Sequence, residues 1–312
     1  MTIDYRYIVL ILSFLFTTSC EKTLELEYPE FTPNLVILST PSPDLSWKVN
    51  VSYSKNVLES NVTRYEKNAK VYIKNIFTQS TIQLFYASEG DYVLFNEFPE
   101  SGQTYELRVE VDDYEVVTAR TYIPMPVDAK VTESKKVVYD GNQAIQVDFE
   151  INDNDDHDNF YIYEILSLDS KVPDSSNLLE YINSPIKRWL STIDGNTGYL
   201  EGNSGKQSKL FVSDNNFKGA VLNTSLVSFL ELDRDSRDLP ELVEELPEPD
   251  LKNSKLKLSS VSQDMYKYQR TRELILLQNT INSSLSTPSE TYSNINNGLG
   301  IFAGFSKQVF DL

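Results

Sequence analysis

Apolar and polar residues alternate with a period of two along much of the chain, and this alternation predicts strands with one buried face. The clearest runs are 47–53, 105–111 and 145–151, where every second residue is apolar. Polar turns separate such runs, and Asp140-Gly141 before the third run is a hairpin signal. The pattern therefore predicts a mainly β protein made of two β-sandwich-like domains in tandem.

The first domain is predicted at residues 34–124. Seven short strands with polar breaks are expected there, at 35–38, 47–53, 71–73, 82–86, 92–95, 105–111 and 114–123. This number and spacing of strands are typical of an immunoglobulin or fibronectin sandwich. Tyr105 stands at the start of the sixth strand, which is the position of a tyrosine corner in such sandwiches. Pro124-Met125-Pro126 then ends the domain, because proline lacks the donor that a strand ladder needs.

A second β-rich domain with one or two helices is predicted at residues 127–312. Its strands are expected at 136–139, 145–151, 160–166, 210–212, 227–232, 256–261 and 306–312. Ser262 has the character of an N-cap, and apolar residues at helical spacing after it predict a helix near 263–278. Residues 167–208 have no clear period, and Pro185 would interrupt a short helix there.

The segment 294–302 is apolar and rich in glycine. The segment contains four large apolar residues that are too apolar to be left exposed together: Ile295, Leu299, Ile301 and Phe302. Gly298 and Gly300 allow backbone conformations that other residues adopt only at a cost. We therefore expect this segment to pack the end of the chain onto the second sandwich. A ligand or receptor contact is the alternative interpretation.

The N-terminus predicts export and lipidation. Residues 8–16 form an apolar run of signal-peptide length, ~7–15 residues, and the run is shorter than the ~20 residues of a membrane-spanning helix. Thr17-Thr18-Ser19-Cys20 follows and resembles a bacterial lipobox, in which a peptidase cuts before the cysteine and its sulfur is acylated. The prediction is a signal peptide at 1–19, lipidation of Cys20 and a lipid-anchored tether at 20–33. A plain secretory signal with a chance cysteine is the alternative.

Composition excludes several classes of function. The formal net charge of −18 argues against nucleic-acid binding through phosphate neutralisation, and it leaves the acyl anchor as the attachment to the membrane. Cys20 is the only cysteine, so no disulfide is expected within the chain. His157 is the only histidine, and the sequence has no G-x-S-x-G nucleophile motif.

One acidic run is a candidate metal site. Asp153, Asp155, Asp156 and Asp158 lie within six residues, and such carboxylates are ligands that Ca²⁺ prefers. Glu164 has the spacing of the last ligand of an EF-hand loop, but it falls inside a predicted strand and the glycine of that loop is missing. The other interpretation is a solvated turn between two strands.

A family resemblance is spread over most of the chain. It is carried by Gly102-Gln103-Thr104-Tyr105, Ile123-Pro124-Met125-Pro126, Phe211-Val212-Ser213-Asp214 with Phe217 and Gly219, Ser262-x-Asp264-x-Tyr266-x-Tyr268, and the run from Ser293 to Phe302. These stretches resemble a group of Bacteroidota lipoproteins catalogued as the domain of unknown function numbered four-two-four-nine. The resemblance implies an outer-membrane-associated lipoprotein commonly encoded beside a TonB-dependent receptor. It implies no known reaction and no catalytic residues.

The leading hypothesis is a lipid-anchored, non-enzymatic binding or accessory protein of the outer membrane, without a cofactor, that works beside a TonB-dependent receptor. Glu21, Glu25 and Glu27 loosely resemble the surface-export signals of such lipoproteins, although an ordinary solvated linker explains them equally well. A structural or adhesive envelope protein is one alternative. A hydrolase that uses paired carboxylates is the other, since acidic residues are abundant.

Overall fold

A computed structural model describes residues 31–56, 62–153, 157–167, 186–192, 208–232, 246, 248–280 and 290–312. Within these ranges the chain forms strands β1 (Leu35–Ser39), β2 (Trp47–Tyr53), β3 (Lys70–Asn75), β4 (Thr81–Ser88), β5 (Asp91–Leu94), β6 (Thr104–Glu110), β7 (Val117–Tyr122), β8 (Asp128–Tyr139), β9 (Asn142–Asn152), β10 (Phe160–Ser167), β11 (Ile186–Thr192), β12 (Leu210–Ser213), β13 (Val221–Leu232), β14 (Ser254–Val261), β15 (Leu299–Phe302) and β16 (Phe305–Asp311). The α-helix described is α1 (Gln263–Thr280), and a 3₁₀ turn spans Asp214–Asn216. The prediction of a mainly β protein is confirmed.

The first sandwich is one sheet folded over its own core. The strand order is β15-β1-β2-β5-β4-β3-β6-β7. Strand β4 connects the two halves, because its first residues pair with β3 and its last residues pair with β5 across a bulge. Buried residues from both halves meet in one core: Leu35, Ile37, Trp47, Val49, Val51, Val71, Ile73, Leu84, Tyr92, Tyr105, Leu107, Val109, Val117, Ala119, Ile123, Ile295 and Phe302.

Tyr105 has the hydrogen bond expected of a tyrosine corner. Its hydroxyl accepts a hydrogen bond from the backbone N–H of Glu100 at 3.0 Å, while its ring meets the ring of Trp47 edge-on, with the centroids 4.9 Å apart. The predicted bond near the start of the sixth strand is therefore confirmed. It joins the loop before β6 to the core of the first sandwich.

The second sandwich packs two four-stranded sheets face to face. Their orders are β12-β10-β14-β16 and β11-β13-β9-β8. The alternating run at 145–151 supplies buried residues from β9, and β10, β12, β13 and β14 supply the rest of the core. Asp140 and Gly141 have positive φ angles of 49° and 78°, as the predicted hairpin between β8 and β9 requires. Strand β11 lies in the stretch where the sequence shows no period.

Helix α1 begins as predicted. The Ser262 hydroxyl accepts a hydrogen bond from the backbone N–H of Met265 at 3.2 Å, which is the N-cap interaction. The helix buries Met265 and Tyr266 in a third apolar cluster, together with Phe211 and Ile301. In the part of the chain that is described, no helix is both long enough and apolar enough to cross a membrane.

The prediction that segment 294–302 packs onto the second sandwich is correct for Ile301, which lies in the cluster of Phe211 and Met265, but wrong for the strand as a whole. Strand β15 pairs in parallel with β1, from Val36 opposite Leu299 to Ser39 opposite Phe302. Ile295 and Phe302 belong to the core of the first sandwich. The chain then turns into β16, which pairs with β14 of the second sandwich. Contacts of this kind place Pro33–Leu312 in one compact unit, while the predicted domain boundary at 124–127 falls between β7 and β8.

The physical reason for this correction is a close approach that the sequence pattern does not specify. Gly300 has a φ of +110°, and a Cβ built on it would lie 2.0 Å from the carbonyl oxygen of Ile37. The side chain of Asn294 pairs with the backbone of Phe302 like a strand residue: it accepts from the N–H at 2.9 Å and donates to the carbonyl at 2.8 Å. Asn294 and Gly300 together hold β15 against the first sandwich.

Candidate functional site

Large apolar side chains are exposed on the loops at one end of the first sandwich. We call these residues the loop surface: Leu45, Phe77, Phe95, Phe98 and Met125. Their exposed fractions range from 46% for Leu45 to 85% for Phe77. Single exposed apolar residues are common, but several on neighbouring loops of a rigid scaffold are typical of a binding surface.

Backbone hydrogen bonds join the loops that carry these side chains. The N–H of Trp47 donates to the carbonyl of Glu97 at 3.2 Å, which connects the β1–β2 loop to the β5–β6 loop. The N–H of Gly102 donates to the carbonyl of Ile123 at 2.7 Å, which connects the β5–β6 loop to the segment after β7. Because these bonds already fix the loop backbones, little conformational entropy of the loops would be lost when a partner binds.

The loop that carries Phe77 is braced by Asn75. The Asn75 carboxamide oxygen accepts hydrogen bonds from the N–H groups of Phe77 and Thr78, at 2.9 and 3.0 Å. The Asn75 amide nitrogen also reaches the side chain of Gln103 at 3.4 Å. Asn75 is 8% exposed whereas Phe77 is 85% exposed, so a buried polar side chain fixes the backbone of a loop that carries an exposed aromatic ring. A loop fixed in this way loses little backbone conformational entropy on binding.

The charged residues on these loops are acidic. Asp44, Glu97 and Glu100 are exposed beside the apolar side chains. Asp44 forms an ion pair with Lys307 of β16 at 2.8 Å. Burial opposes ionisation of Asp44, but hydrogen bonds from Lys307 and Ser42 outweigh it and lower the pKa of that carboxyl. The loop surface thus combines apolar anchors with an acidic rim, which suits an apolar patch on a partner more than an anionic ligand.

Alternation of apolar and polar residues did not reveal these residues. Phe77 lies in the turn between β3 and β4, directly before the polar run Thr78-Gln79-Ser80, and Phe95 and Phe98 flank Asn96-Glu97. A large apolar residue inside a turn was the available signal, since turns are normally polar. The alternation places Phe95 at the end of a predicted strand and predicts no element for Phe77 or Phe98.

At the opposite end of the first sandwich lies an open groove of about 280 Å³. Asn68, Lys70, Arg108, Glu110 and Tyr114 are among the residues that line it. Arg108 and Glu110 form an ion pair at 2.8 Å, so the charges of the groove are partly neutralised within it. The groove is shallow and polar, and it brings no nucleophile next to a base.

The predicted acidic run is only partly described. Cys20, Asp155 and Asp156 lie outside the described residues. Asp153 is buried at the end of β9, whereas Asp158 is exposed and paired with Lys218 at 2.8 Å. No cluster of three or more His, Cys, Asp or Glu positioned for a metal occurs among the described residues. Calcium binding by the predicted loop stays a prediction.

Glu164 lies inside β10, as its sequence position suggested, and it belongs to a buried ionic cluster. Its carboxylate contacts Lys209 at 2.9 Å and Lys257 at 2.7 Å. Burial opposes ionisation of Glu164, but the two lysines outweigh burial and hold its pKa at about 2. These lysine contacts, rather than a calcium ion, satisfy its two oxygens.

Helix α1 adds a second carboxylate to the same cluster. The N–H and the hydroxyl of Ser208 both donate to Glu273, at 2.6 and 2.8 Å. Glu273 is 5% exposed, and burial raises its pKa. We define Glu164, Lys209, Lys257, Glu273 and Ser208 as the buried ionic cluster. It fastens α1 and the segment before β12 to the sheet, which is a structural role.

Two β-sandwiches and a helix define the class: a mainly β protein of the sandwich type. The family model described as Domain of unknown function (DUF4249) matches residues 21–310, and the chain belongs to this family. The family resemblance carried by the sequence motifs is confirmed.

Similarity to other known proteins is slight. No curated protein matches the chain. One solved structure that resembles it is the BSP domain of a biofilm associated protein, with 8% identity and a TM-score of 0.20; it covers 92% of this chain, and this chain spans 61% of that structure. Another is a proposed carbohydrate binding protein from Bacteroides uniformis, with 10% identity and a TM-score of 0.17, covering 85% of this chain and 98% of that one. These scores carry no argument about function.

Proposed function

We propose that this protein is a lipid-anchored, non-enzymatic accessory protein of the outer membrane that docks on a TonB-dependent receptor through the loop surface. The observation that carries the proposal is Phe77, an aromatic ring 85% exposed on a loop that the buried Asn75 holds in place. Aromatic anchors on ordered loops supply most of the binding free energy at protein interfaces. The lipid anchor at Cys20 would keep the protein in the plane of its partner.

The order of the strands supports an immunoglobulin-like first sandwich. Strands β1-β2-β5-β4 are neighbours in one half, and β3-β6-β7 are neighbours in the other. In a constant-type immunoglobulin domain the strands ABED and CFG are neighbours in the same way. Such domains commonly bind partners through loops at one end, as the loop surface would do here.

Affinity capture from detergent-solubilised outer membrane tests the proposal. The tagged full-length protein should retain a TonB-dependent receptor that the tag alone does not. Cys20→Ala should leave the protein in the soluble fraction or as an uncleaved precursor, because the acyl chains could not be attached. Capture of no receptor would contradict the docking claim, and membrane retention of processed Cys20→Ala protein would contradict the anchor.

A further inference from the structure

The buried carboxyl group of Asp214 has no well-formed hydrogen bond among the described residues. Asp214 begins the 3₁₀ turn after β12 and is 0% exposed. Neither of its carboxylate oxygens has a well-formed hydrogen bond to a described residue, and the backbone N–H of Asn159 only partly offsets the cost of burial. A buried polar atom without a partner costs free energy, and an ionised carboxylate costs more. Such a group therefore calls for an explanation.

A second carboxylate faces Asp214. Asp153, at the end of β9, is 2% exposed and interacts with Asp214 both through its charge and at hydrogen-bonding range. The side-chain amide nitrogen of Asn159 lies 3.3 Å from Asp153 Oδ1. Burial raises the pKa of Asp214, and the charge of Asp153 raises it further. Two buried carboxylates side by side need either a shared proton or a cation between them.

The backbone holds the two residues rigidly. The N–H of Asp153 donates to the carbonyl of Ala220 at 3.1 Å, and the N–H of Asp214 donates to the carbonyl of Asn159 at 3.1 Å. The first bond joins the end of β9 to the residue before β13, and the second joins the residue before β10 to the 3₁₀ turn. The ammonium of Lys218 forms an ion pair with Asp158 at 2.8 Å, and its charge lowers the pKa of Asp214 only as the smallest of several contributions.

We propose that Asp153 and Asp214 bind a calcium ion at the junction of β9, β10 and the turn after β12. Two carboxylates supply up to four oxygens, and Ca²⁺ takes six to eight, so backbone carbonyls and water complete its shell. The proposal differs from the sequence prediction, because the second carboxylate comes from a segment about sixty residues away along the chain. It does not depend on the docking function.

Calcium titration of the full-length protein tests the site. At a tenfold excess of CaCl₂ over its dissociation constant, the melting temperature should rise by about 3–6 °C. Asp214→Asn should abolish the rise, whereas Asp311→Asn, which alters a carboxylate that is 87% exposed in β16 and lies outside the site, should keep it. MgCl₂ at the same concentration controls for general screening of the net charge of −18.

Calorimetric titration of the wild-type protein with CaCl₂ keeps the test independent of the stability of any variant. One ion per chain, removable with EDTA, is the expected result. No heat of binding, together with an Asp214→Asn variant that is more stable than wild type and insensitive to CaCl₂, would overturn the proposal. That outcome would assign the pair to a shared proton.

Discussion

Alanine in place of Gly300 should lower the free energy of unfolding by about 4 kcal/mol or more, which lies in the severe range for a single substitution. The methyl group would have to occupy space 2.0 Å from the carbonyl oxygen of Ile37 and 2.9 Å from its carbonyl carbon. Both atoms belong to the backbone of β1, so no side-chain rotation relieves the clash. The φ of +110° adds strain for any residue with a Cβ.

Gly141→Ala is the matched control for this prediction. Gly141 also has a positive φ, +78°, but a Cβ there would meet nothing within 4 Å. The control therefore measures backbone strain alone, about 1–2 kcal/mol. Urea unfolding followed by circular dichroism gives both values. Equal losses for the two variants would mean that β15 does not lie against β1.

Glutamine in place of Glu164 should lower the free energy of unfolding at pH 7 by about 3–5 kcal/mol, because it leaves two lysines without their shared buried carboxylate. The Glu164 side chain is 6% exposed, and Lys209 is 10% exposed. Asp311→Asn is the control, since Asp311 pairs with Lys255 at 2.7 Å but is 87% exposed. An exposed ion pair contributes only ~0–1 kcal/mol.

The same variant has a defined pH dependence. The folded pKa of Glu164 is about 2, below the unfolded value of ~4.3. A lowered pKa stabilises the folded state above the unfolded value, and this stabilisation is lost as the pH falls through the folded value. The difference between wild type and Glu164→Gln should therefore shrink between about pH 4.5 and about pH 2.

The wild-type protein has to be compared with Glu164→Gln because Glu273, in the same buried ionic cluster, also contributes to the pH dependence of stability. Burial raises its pKa, so its contribution has the opposite sign and is lost as the pH rises. In the wild-type protein alone, the pH dependence of the free energy of unfolding contains the contributions of both carboxyl groups. The difference between wild type and Glu164→Gln reports mainly the contribution of Glu164. A difference that stays constant from pH 7 to pH 2.5 would show that Glu164 is not ionised within the cluster.

Local chemistry was predictable from the sequence wherever one short segment determined it. Tyr105, the Ser262 N-cap and the Asp140-Gly141 hairpin each depend on a few neighbouring residues, and each is found as predicted. Most strands of both sandwiches follow from their period of two. Strand β11 could not be predicted in this way, because its stretch has no clear alternation of apolar and polar residues. It pairs along its length with the long strand β13.

Features that depend on distant residues could not be predicted. Strand β15 joins β1 across more than 250 residues of chain, and apolar periodicity does not say which of two cores a short strand enters. Asp214 meets Asp153 only because the 3₁₀ turn and the end of β9 come together in the fold. The loop surface could not be predicted for another reason: the residue type alone does not show whether an aromatic ring is exposed or buried.

Quantitative capture of the receptor by Phe77→Ser protein tests the central claim most directly. The change removes an exposed ring, so stability should alter by no more than about 0.5 kcal/mol. Asn75 would still brace the loop, because it binds the backbone of residue 77.

Val138→Ser is the control: Val138 is 68% exposed but lies roughly 33 Å along β8 from Asp128, away from the loop surface. Docking through the loop surface predicts that Phe77→Ser retains about tenfold less TonB-dependent receptor than wild type while Val138→Ser retains as much. Equal retention by wild type and both variants would contradict the claim.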